Sequence, residues 1–191
     1  MKELQRRILL DIARKTIELY LETGKKLSLP PEEFNDEEFW EKRGTFVTLT
    51  IGGELRGCIG SIIPVRPLLQ DIVDNSINAA FRDPRFHPLT KKEFKDINIE
   101  ISILSIPMRL DFKDVEDLYS KIRPGIDGII LKKSIYQATF LPQVWNDLPS
   151  KDEFFGNLCY KAGLPYDCLK LEGIGVEVYQ VEAFSEKELE R

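Results

Sequence analysis

The sequence contains little cysteine and almost no histidine. Its cysteines are Cys58, Cys159 and Cys168, and its single histidine is His87. Three cysteines without a CxxC pair argue against a disulfide framework. We expect Cys159 to be a core residue and Cys168 to lie in a loop. Zinc sites are usually built from clustered cysteine and histidine ligands. We therefore predict no metal site and no cofactor.

An excess of positive charge and long apolar runs are also missing. Lysine and arginine number 27 against 32 aspartates and glutamates, which gives a net charge of −5. Nucleic acid is not an expected partner, because phosphate binding is driven by an excess of cations. Residues 1–24 have apolar positions at helical spacing but charges throughout, which is typical of neither a signal peptide nor a membrane span. We expect a cytoplasmic protein with no membrane partner.

The central segment that is present is a predicted β-hairpin over residues 44–64, GTFVTLTIGGELRGCIGSIIP. Between residues 45 and 51 apolar residues alternate with threonines, which is the pattern of a half-buried strand. Gly52-Gly53 fits a two-residue hairpin turn. The returning strand contains LRGCIG at residues 55–60.

The returning strand carries the candidate nucleophile, Cys58. Gly57 and Gly60 remove side chains beside the thiol, which lets another backbone or a ligand approach closely. Arg56 lies two residues before Cys58, so strand alternation predicts that both side chains share one face. A nearby guanidinium would lower the pKa of the thiol and favour the reactive thiolate. Arg56 could also bind a carboxylate or phosphate, or pair with a neighbouring acid.

A proline-bounded loop at residues 82–89 supplies further candidates. Asp83 and Arg85 could bind each other and the backbone, or form a polar wall at the Cys58 site. His87 could act as a general base near Cys58, or could be an exposed loop residue.

Two more candidates lie further along the chain. A strand is predicted at 97–106 with its isoleucines toward a core, so Glu100 faces the other way. Glu100 is either solvated or an acid-base partner of Cys58. Trp145, in the LPQVW segment at 141–145, is a packing residue or part of a recognition surface.

The order of elements favours an α+β fold with an antiparallel-rich sheet flanked by helices. The polar end at 186–191 is expected to fray. The other predicted elements are helices at 2–22, 67–81, 114–122 and 150–162 and strands at 129–131, 135–140 and 175–184.

Six segments of this chain occur in the same order in the AMMECR domain family, which the sequence resembles over about residues 44–184. They are GTFVTL, LRGCIG, RDPRF, EISILS, TFLPQVW and LCYKAGL. The resemblance implies an intracellular protein whose prokaryotic relatives act with Memo-type proteins and radical S-adenosylmethionine enzymes in a modification pathway. His87 occupies a position where the family pattern has proline, so the resemblance carries no catalytic role for this histidine.

The resemblance also implies the domain organisation. The chain is expected to form a single AMMECR-type domain with two lobes. The larger lobe is expected from both chain ends, about 1–95 with 135–191, and the smaller from about 96–134.

The sequence leaves two functions open. In one, the protein is a cytosolic enzyme or enzyme component in which Cys58 reacts and Arg56 and Arg85 hold a small anionic substrate. In the other, Cys58 is a packing residue, and the LRGCIG hairpin is a rigid, non-catalytic recognition face for a partner protein.

Overall fold

The computed structural model describes residues 1–189. The helices are α1 (Glu3–Thr23), α2 (Leu68–Phe81), α3 (Lys91–Phe94), α4 (Val115–Lys121), α5 (Lys151–Lys161) and α6 (Glu186–Leu189). The strands are β1 (Thr45–Ile51), β2 (Glu54–Ser61), β3 (Ile97–Leu104), β4 (Met108–Arg109), β5 (Gly128–Lys133), β6 (Tyr136–Phe140), β7 (Gly175–Tyr179) and β8 (Val181–Ser185). Short 3-10 helices lie at Pro31–Glu33, Glu37–Trp40, Pro142–Asn146 and Cys168–Lys170. None of the helices within residues 1–189 combines the length and the apolar character needed to cross a lipid bilayer.

The chain divides into two compact units, each built on one four-stranded sheet. The first unit contains residues 1–104 and the segment from Glu182 onward, and its strand order is β2-β1-β3-β8. The second contains residues 105–181, with the order β4-β7-β5-β6. The pairs β1–β2, β1–β3, β4–β7, β5–β6 and β5–β7 are antiparallel. The predicted α+β fold with antiparallel sheets and flanking helices is confirmed.

The boundaries of these units differ from the expected lobes. The smaller lobe was expected at about 96–134, but β3 pairs with β1 from Ile97 to Ile103 and so belongs to the first unit. Strands β6 and β7 both pair with β5, which places residues after 134 in the second unit. A strand joins the unit that supplies its hydrogen-bond partners, and sequence order does not reveal those partners.

The core of the first unit lies between its sheet and the helices α1 and α2. Apolar side chains of β1 and the alternating isoleucines of β3 pack against apolar side chains of both helices, as the period of two predicts. The hairpin turn is confirmed, with positive φ at Gly52 (61°) and Gly53 (95°), the combination that a type I′ turn requires.

The cysteines of the second unit require a correction. Cys159 on α5 and Cys168 at the start of a 3-10 helix form a disulfide bond, with Cα atoms 5.8 Å apart, so the expectation of no disulfide is wrong. Cys168 is buried and begins a 3-10 helix rather than lying in a loop, whereas the core position of Cys159 is confirmed. A turn with positive φ at Gly163 folds the chain back and joins the two thiols, while Cys58 stays free. Counting cysteines cannot detect such a turn.

The end of the chain also differs from its prediction. The single strand expected at 175–184 is interrupted at Gln180, because β7 pairs with β5 in the second unit and β8 with β3 in the first. Residues 186–189 form α6 instead of fraying, since Glu186 accepts hydrogen bonds from the guanidinium of Arg14 and from the backbone of β3. The remainder of the predicted frayed end, residues 190–191, lies outside the described residues.

Candidate functional site

Cys58 lies on β2, at the edge of the first sheet, and its backbone polar groups bind the loop that follows α2. The N–H of Cys58 donates to Oδ2 of Asp83 at 2.9 Å, and its carbonyl accepts from Nη2 of Arg85 at 3.2 Å. The side chains of Asp83 and Arg85 thus take the place of a neighbouring strand and cover the edge of the sheet at Cys58.

Asp83 and Arg85 also bind each other. The carboxylate of Asp83 accepts from Nε and Nη2 of Arg85 at 2.9 and 2.7 Å and from the Arg85 backbone N–H at 3.1 Å. The Arg85 hydrogen bonds hold the pKa of Asp83 well below its usual range, although Asp83 is only 4% exposed. The same hydrogen bonds to Asp83 raise the pKa of Arg85. The Asp83–Arg85 pair therefore fills both predicted roles, since it is internally bonded and borders Cys58.

The thiol of Cys58 is half-buried and contacts a hydroxyl on the adjacent strand. Oγ1 of Thr48 on β1 donates to Sγ of Cys58 at 3.3 Å. The two residues are direct cross-strand partners. Because the backbone groups of Cys58 point to Asp83 and Arg85, this is a non-hydrogen-bonded pair, in which side chains lie closest. The sequence interpretation did not include Thr48 among the site residues.

A β-bulge explains why Thr48 was missed. An unbroken hairpin from the two-glycine turn would place Cys58 opposite Val47, on the core side. The register instead shifts between Leu49 and Thr50, and Arg56 is the extra residue. The shift moves Cys58 opposite Thr48 and onto the other face of the sheet. It also interrupts the alternation on which the predicted common face of Arg56 and Cys58 depended.

The guanidinium of Arg56 is bound by the protein itself. Nε and Nη2 donate to the two carboxylate oxygens of Glu93 on α3 at 2.9 and 3.3 Å, and Nη2 also donates to the carbonyl of His87 at 2.8 Å. The hydrogen bond from Arg56, followed by the one from the backbone of Thr90, lowers the pKa of Glu93 to about 2. Among the predicted alternatives for Arg56, pairing with a neighbouring acid is the one observed.

Both guanidinium groups lie over one aromatic ring. The Cζ atoms of Arg56 and Arg85 are 5.7 and 5.5 Å from the ring centre of Phe86, within cation–π range. The ring of Phe86 therefore contacts two positive charges, of which that of Arg85 lies next to Cys58.

The glycines of the motif make room for the chain's own atoms. A Cβ at Gly57 would lie 2.1 Å from the carbonyl oxygen of Ala79 on α2, and one at Gly60 would lie 2.3 Å from the ring of Phe46. Close approach of a backbone was one of the predicted alternatives. The space expected for a ligand at these two positions is occupied.

The remaining candidates are placed differently. The side chain of His87 is exposed, and its carbonyl rather than its ring contributes to the site. Glu100 on β3 is separated from Cys58 by β1, directly opposite Thr48. Trp145 is a core residue of the second unit, 3% exposed, with its ring stacked on Phe154 at 3.5 Å. The packing interpretation of Trp145 is the one that this burial supports.

The arrangement offers a thiol, a hydroxyl donor and a cation. Arg85 keeps 53% of its side chain exposed beside Cys58, so an anion in solvent can approach the guanidinium. Within the described part of the chain, no three His, Cys, Asp or Glu side chains are grouped to hold a metal ion. The chemistry available is that of a thiol with an adjacent positive charge.

Comparison with known proteins identifies relatives over nearly the whole chain. The AMMECR1 family model matches residues 10–184. A protein of Methanothermobacter thermautotrophicus is 40% identical over 181 residues, covering 94% of this chain and 93% of the relative. A Methanosarcina mazei protein is 41% identical over 192 residues, covering 97% and 94%. The crystal structure of the uncharacterized protein PH0010 from Pyrococcus horikoshii matches with a TM-score of 0.82 at 38% identity, covering 94% of this chain and 90% of that one.

Proposed function

The chain belongs to the AMMECR1 family, and we propose that it is an enzyme or enzyme component in which the thiol of Cys58 reacts with a small anionic substrate. The observation that carries this proposal is the binding of both backbone polar groups of Cys58 by the Asp83–Arg85 pair. A buried, ionised carboxylate fixes the strand at the thiol, and the partly exposed guanidinium adds a positive charge beside it. The proposed setting is a modification pathway with Memo-type and radical S-adenosylmethionine partners, which the family resemblance implies.

The surrounding groups suit thiol chemistry in two ways. The hydroxyl of Thr48 donates to Sγ of Cys58, and a hydrogen bond to the charged form of an acid favours that form. The guanidinium of Arg85 would attract a negatively charged substrate and orient it through its planar donors. Arg56 is a weaker candidate for substrate binding, because Glu93 binds its Nε and Nη2 atoms and its Nη1 atom is buried.

Alkylation with a charged and a neutral reagent tests this proposal. Iodoacetate and iodoacetamide differ by one negative charge, and peptide mass spectrometry reports the rate of each at Cys58 in the folded protein. Compared with a short peptide of residues 55–61, we expect the iodoacetate-to-iodoacetamide rate ratio to be about fivefold higher, since one charge pair at 4 Å in water is worth about 1 kcal/mol.

Variants at two neighbouring arginines supply the control. Arg85→Gln is expected to reduce the ratio to the peptide value, and Arg85→Lys to retain part of it through its charge. Arg82→Gln is the matched control, because Arg82 is exposed and donates to Asn78 rather than to Cys58. A ratio in the wild-type protein equal to that of the peptide would refute anion binding beside Cys58.

A second candidate function is a non-catalytic binding module that presents the hairpin to a partner protein. Leu55, at the start of the LRGCIG segment, is 43% exposed, and the arginine and glycines that follow it are bonded to or packed against the chain's own atoms. A rigid strand with an exposed apolar residue suits partner recognition. In the same experiment, a Cys58 that stays unmodified in the folded protein would favour this function over the enzymatic one.

A further inference from the structure

A row of three side chains crosses the first sheet on the face opposite its core. Thr48 is at the centre, with Cys58 as its partner on β2 and Glu100 as its partner on β3. Cross-strand partners of an antiparallel sheet project to the same face. The Cys58–Thr48–Glu100 row therefore places a thiol, a hydroxyl and a carboxylate side by side.

Glu100 differs from the other carboxylates near Cys58. Asp83 and Glu93 are both bound by arginines, whereas no lysine or arginine among residues 1–189 forms an ion pair with Glu100. Glu100 is half-buried, and this burial, with a smaller contribution from the negative charge of Glu188, raises its pKa. A carboxylate in such surroundings accepts a proton more readily than an exposed one.

We propose that Glu100 is the proton acceptor for Cys58, which it reaches through the hydroxyl of Thr48. The inference rests on the proposed function and assigns Glu100 and Thr48 as positioning residues of the thiol site. The S–H bond of Cys58 breaks and its proton passes to Oγ1 of Thr48, while the hydroxyl proton of Thr48 passes to the carboxylate. The products are a thiolate and a carboxylic acid, with no change in oxidation state.

The hydroxyl of Thr48 can serve both steps. In the structure it donates to Sγ of Cys58 at 3.3 Å. A threonine hydroxyl has one donor and two acceptor sites, and its hydrogen rotates to suit its neighbours. When the hydroxyl hydrogen of Thr48 rotates toward Glu100 on β3, Oγ1 of Thr48 is free to accept the proton of the thiol. When the proton is on Glu100, the negative charge is on Sγ of Cys58, next to Arg85.

Proton exchange within the row predicts a distinctive pH profile. Between the pKa of the carboxylate and that of the thiol, the pair holds one proton, and the share of molecules with the proton on Glu100 is constant. Thiolate with its proton on Glu100 is therefore present at a constant level, and it sets the total amount of thiolate at the acid end, where the fully deprotonated pair is scarce. Asp83 and Arg85 at the thiol and Glu188 at the carboxylate are charged groups near the row, and none of these is altered in the test.

The test measures the second-order rate of iodoacetamide modification of Cys58 between about pH 5 and pH 9, by peptide mass spectrometry on the folded protein. We expect a plateau at the acid end for the wild type. Glu100→Gln is expected to lose the plateau, so that the rate falls about tenfold per pH unit toward acid. Thr48→Val is expected to lower the plateau, because Sγ of Cys58 loses the hydrogen bond that favours its charged form. Thr50→Val is the matched control on the same strand and face, opposite Asn98, and should keep the plateau.

The outcomes separate this inference from the proposed function. If Glu100 were merely a nearby negative charge, Glu100→Gln would speed modification, because removing an anion favours the thiolate. A Glu100→Gln profile that is faster or unchanged at the acid end overturns the inference and leaves the proposed function standing. A Cys58 that does not react in the folded wild type overturns both. Unfolding midpoints of the variants, expected to stay near that of the wild type, show that lost reactivity is not lost folding.

Discussion

The carboxylates around the thiol have pKa values displaced in opposite directions. Arginine hydrogen bonds lower the pKa of Asp83 and that of Glu93, whereas burial raises the pKa of Glu100. The first two are therefore anions that bind arginines beside β2, and the third is the carboxylate that we propose accepts the proton of Cys58. This difference in surroundings separates residues that hold the site from a residue that can take part in its chemistry.

The Arg56–Glu93 pair predicts a loss of stability in acid. The folded pKa of Glu93 is about 2, below the unfolded value of about 4.3. Its contribution is present above pH 5 and is lost as the pH falls toward 2. Because Glu93 is partly exposed, we expect Glu93→Gln to cost about 1 kcal/mol at pH 7 after screening. Urea unfolding at several pH values measures the effect, and the variant should lose less stability in acid than the wild type.

Glutamine at position 93 isolates the charge. The side chain of Glu93 also accepts from the backbone of Thr90 in a capping box, and glutamine preserves such a cap. Glu54→Gln is the control, because Glu54 is an exposed carboxylate on β2, the strand that carries Arg56. Equal acid sensitivity of the wild type and Glu93→Gln would show that the pair does not contribute to stability.

At the scale of elements, the close packing of β2 against α2 depends on Gly57. The carbonyl oxygen of Ala79 lies where a Cβ would be, at 2.1 Å, and a helix backbone cannot move aside as a flexible side chain does. Gly57 is opposite Leu49, whose side chain is fully buried. The glycine thus allows the helix to reach the sheet at the residue next to the thiol.

Gly57→Ala is expected to destabilise the first unit by about 3 kcal/mol, because overpacking would separate α2 from β2. Gly175→Ala is the control in a strand of the second unit, where a Cβ would meet its nearest atom, the carbonyl oxygen of Lys132, at 3.7 Å. Its effect should stay below about 1 kcal/mol. Chemical unfolding measures both variants, and similar losses would contradict the packing argument.

At the scale of the whole molecule, the two units have separate cores and different covalent support. The core of the first unit forms from α1, α2 and the sheet, without a disulfide among its described residues. The core of the second unit includes Cys159 and Cys168 as well as the stacked rings of Trp145 and Phe154. The second unit therefore combines a smaller core with a covalent bond.

Removing the disulfide is expected to affect the second unit. Cys159→Ala with Cys168→Ala opens a loop closed by residues nine apart, and loop entropy predicts a loss of about 3 kcal/mol. Hydrogen exchange read by peptide mass spectrometry should show lower protection for peptides of 105–181. Peptides of 1–104 should keep theirs, and equal loss in both units would contradict the assignment. Cys58→Ala is the control, because that thiol forms no disulfide.

Much of the fold could be predicted because its signals are local. The alternation in β1 and β3, the two-glycine turn, and the helical spacing in α1 and α2 each lie within a few residues. The interruption of the last predicted strand at Gln180 could not be predicted in the same way. Its apolar pattern continues across the break, and only the choice of pairing partner, β5 or β3, divides it.

The candidate site could be predicted only in part. Cys58, Arg56, Asp83 and Arg85 were identified as candidates and lie together, because the LRGCIG and RDPRF segments contain all of them. Thr48 was absent from the prediction, since its contact with Cys58 depends on the bulge. The ligand space expected at the motif glycines was filled by α2 and an aromatic ring, neither of which is near them in sequence.

The sequence by itself determined most of the elements, the family and the position of the central thiol in the chain, because periodicity, turn residues and motifs are properties of neighbouring residues. The tertiary structure alone decided which face of the sheet carries Cys58, which acids bind its arginines and which two cysteines join. Each of these depends on a one-residue shift in register or on contacts between distant segments. Side chains of a strand alternate between the two faces of the sheet, so one extra residue moves every later side chain to the opposite face. The bulge at Arg56 therefore moves the thiol of Cys58 from the core side to the face that carries Thr48 and Glu100.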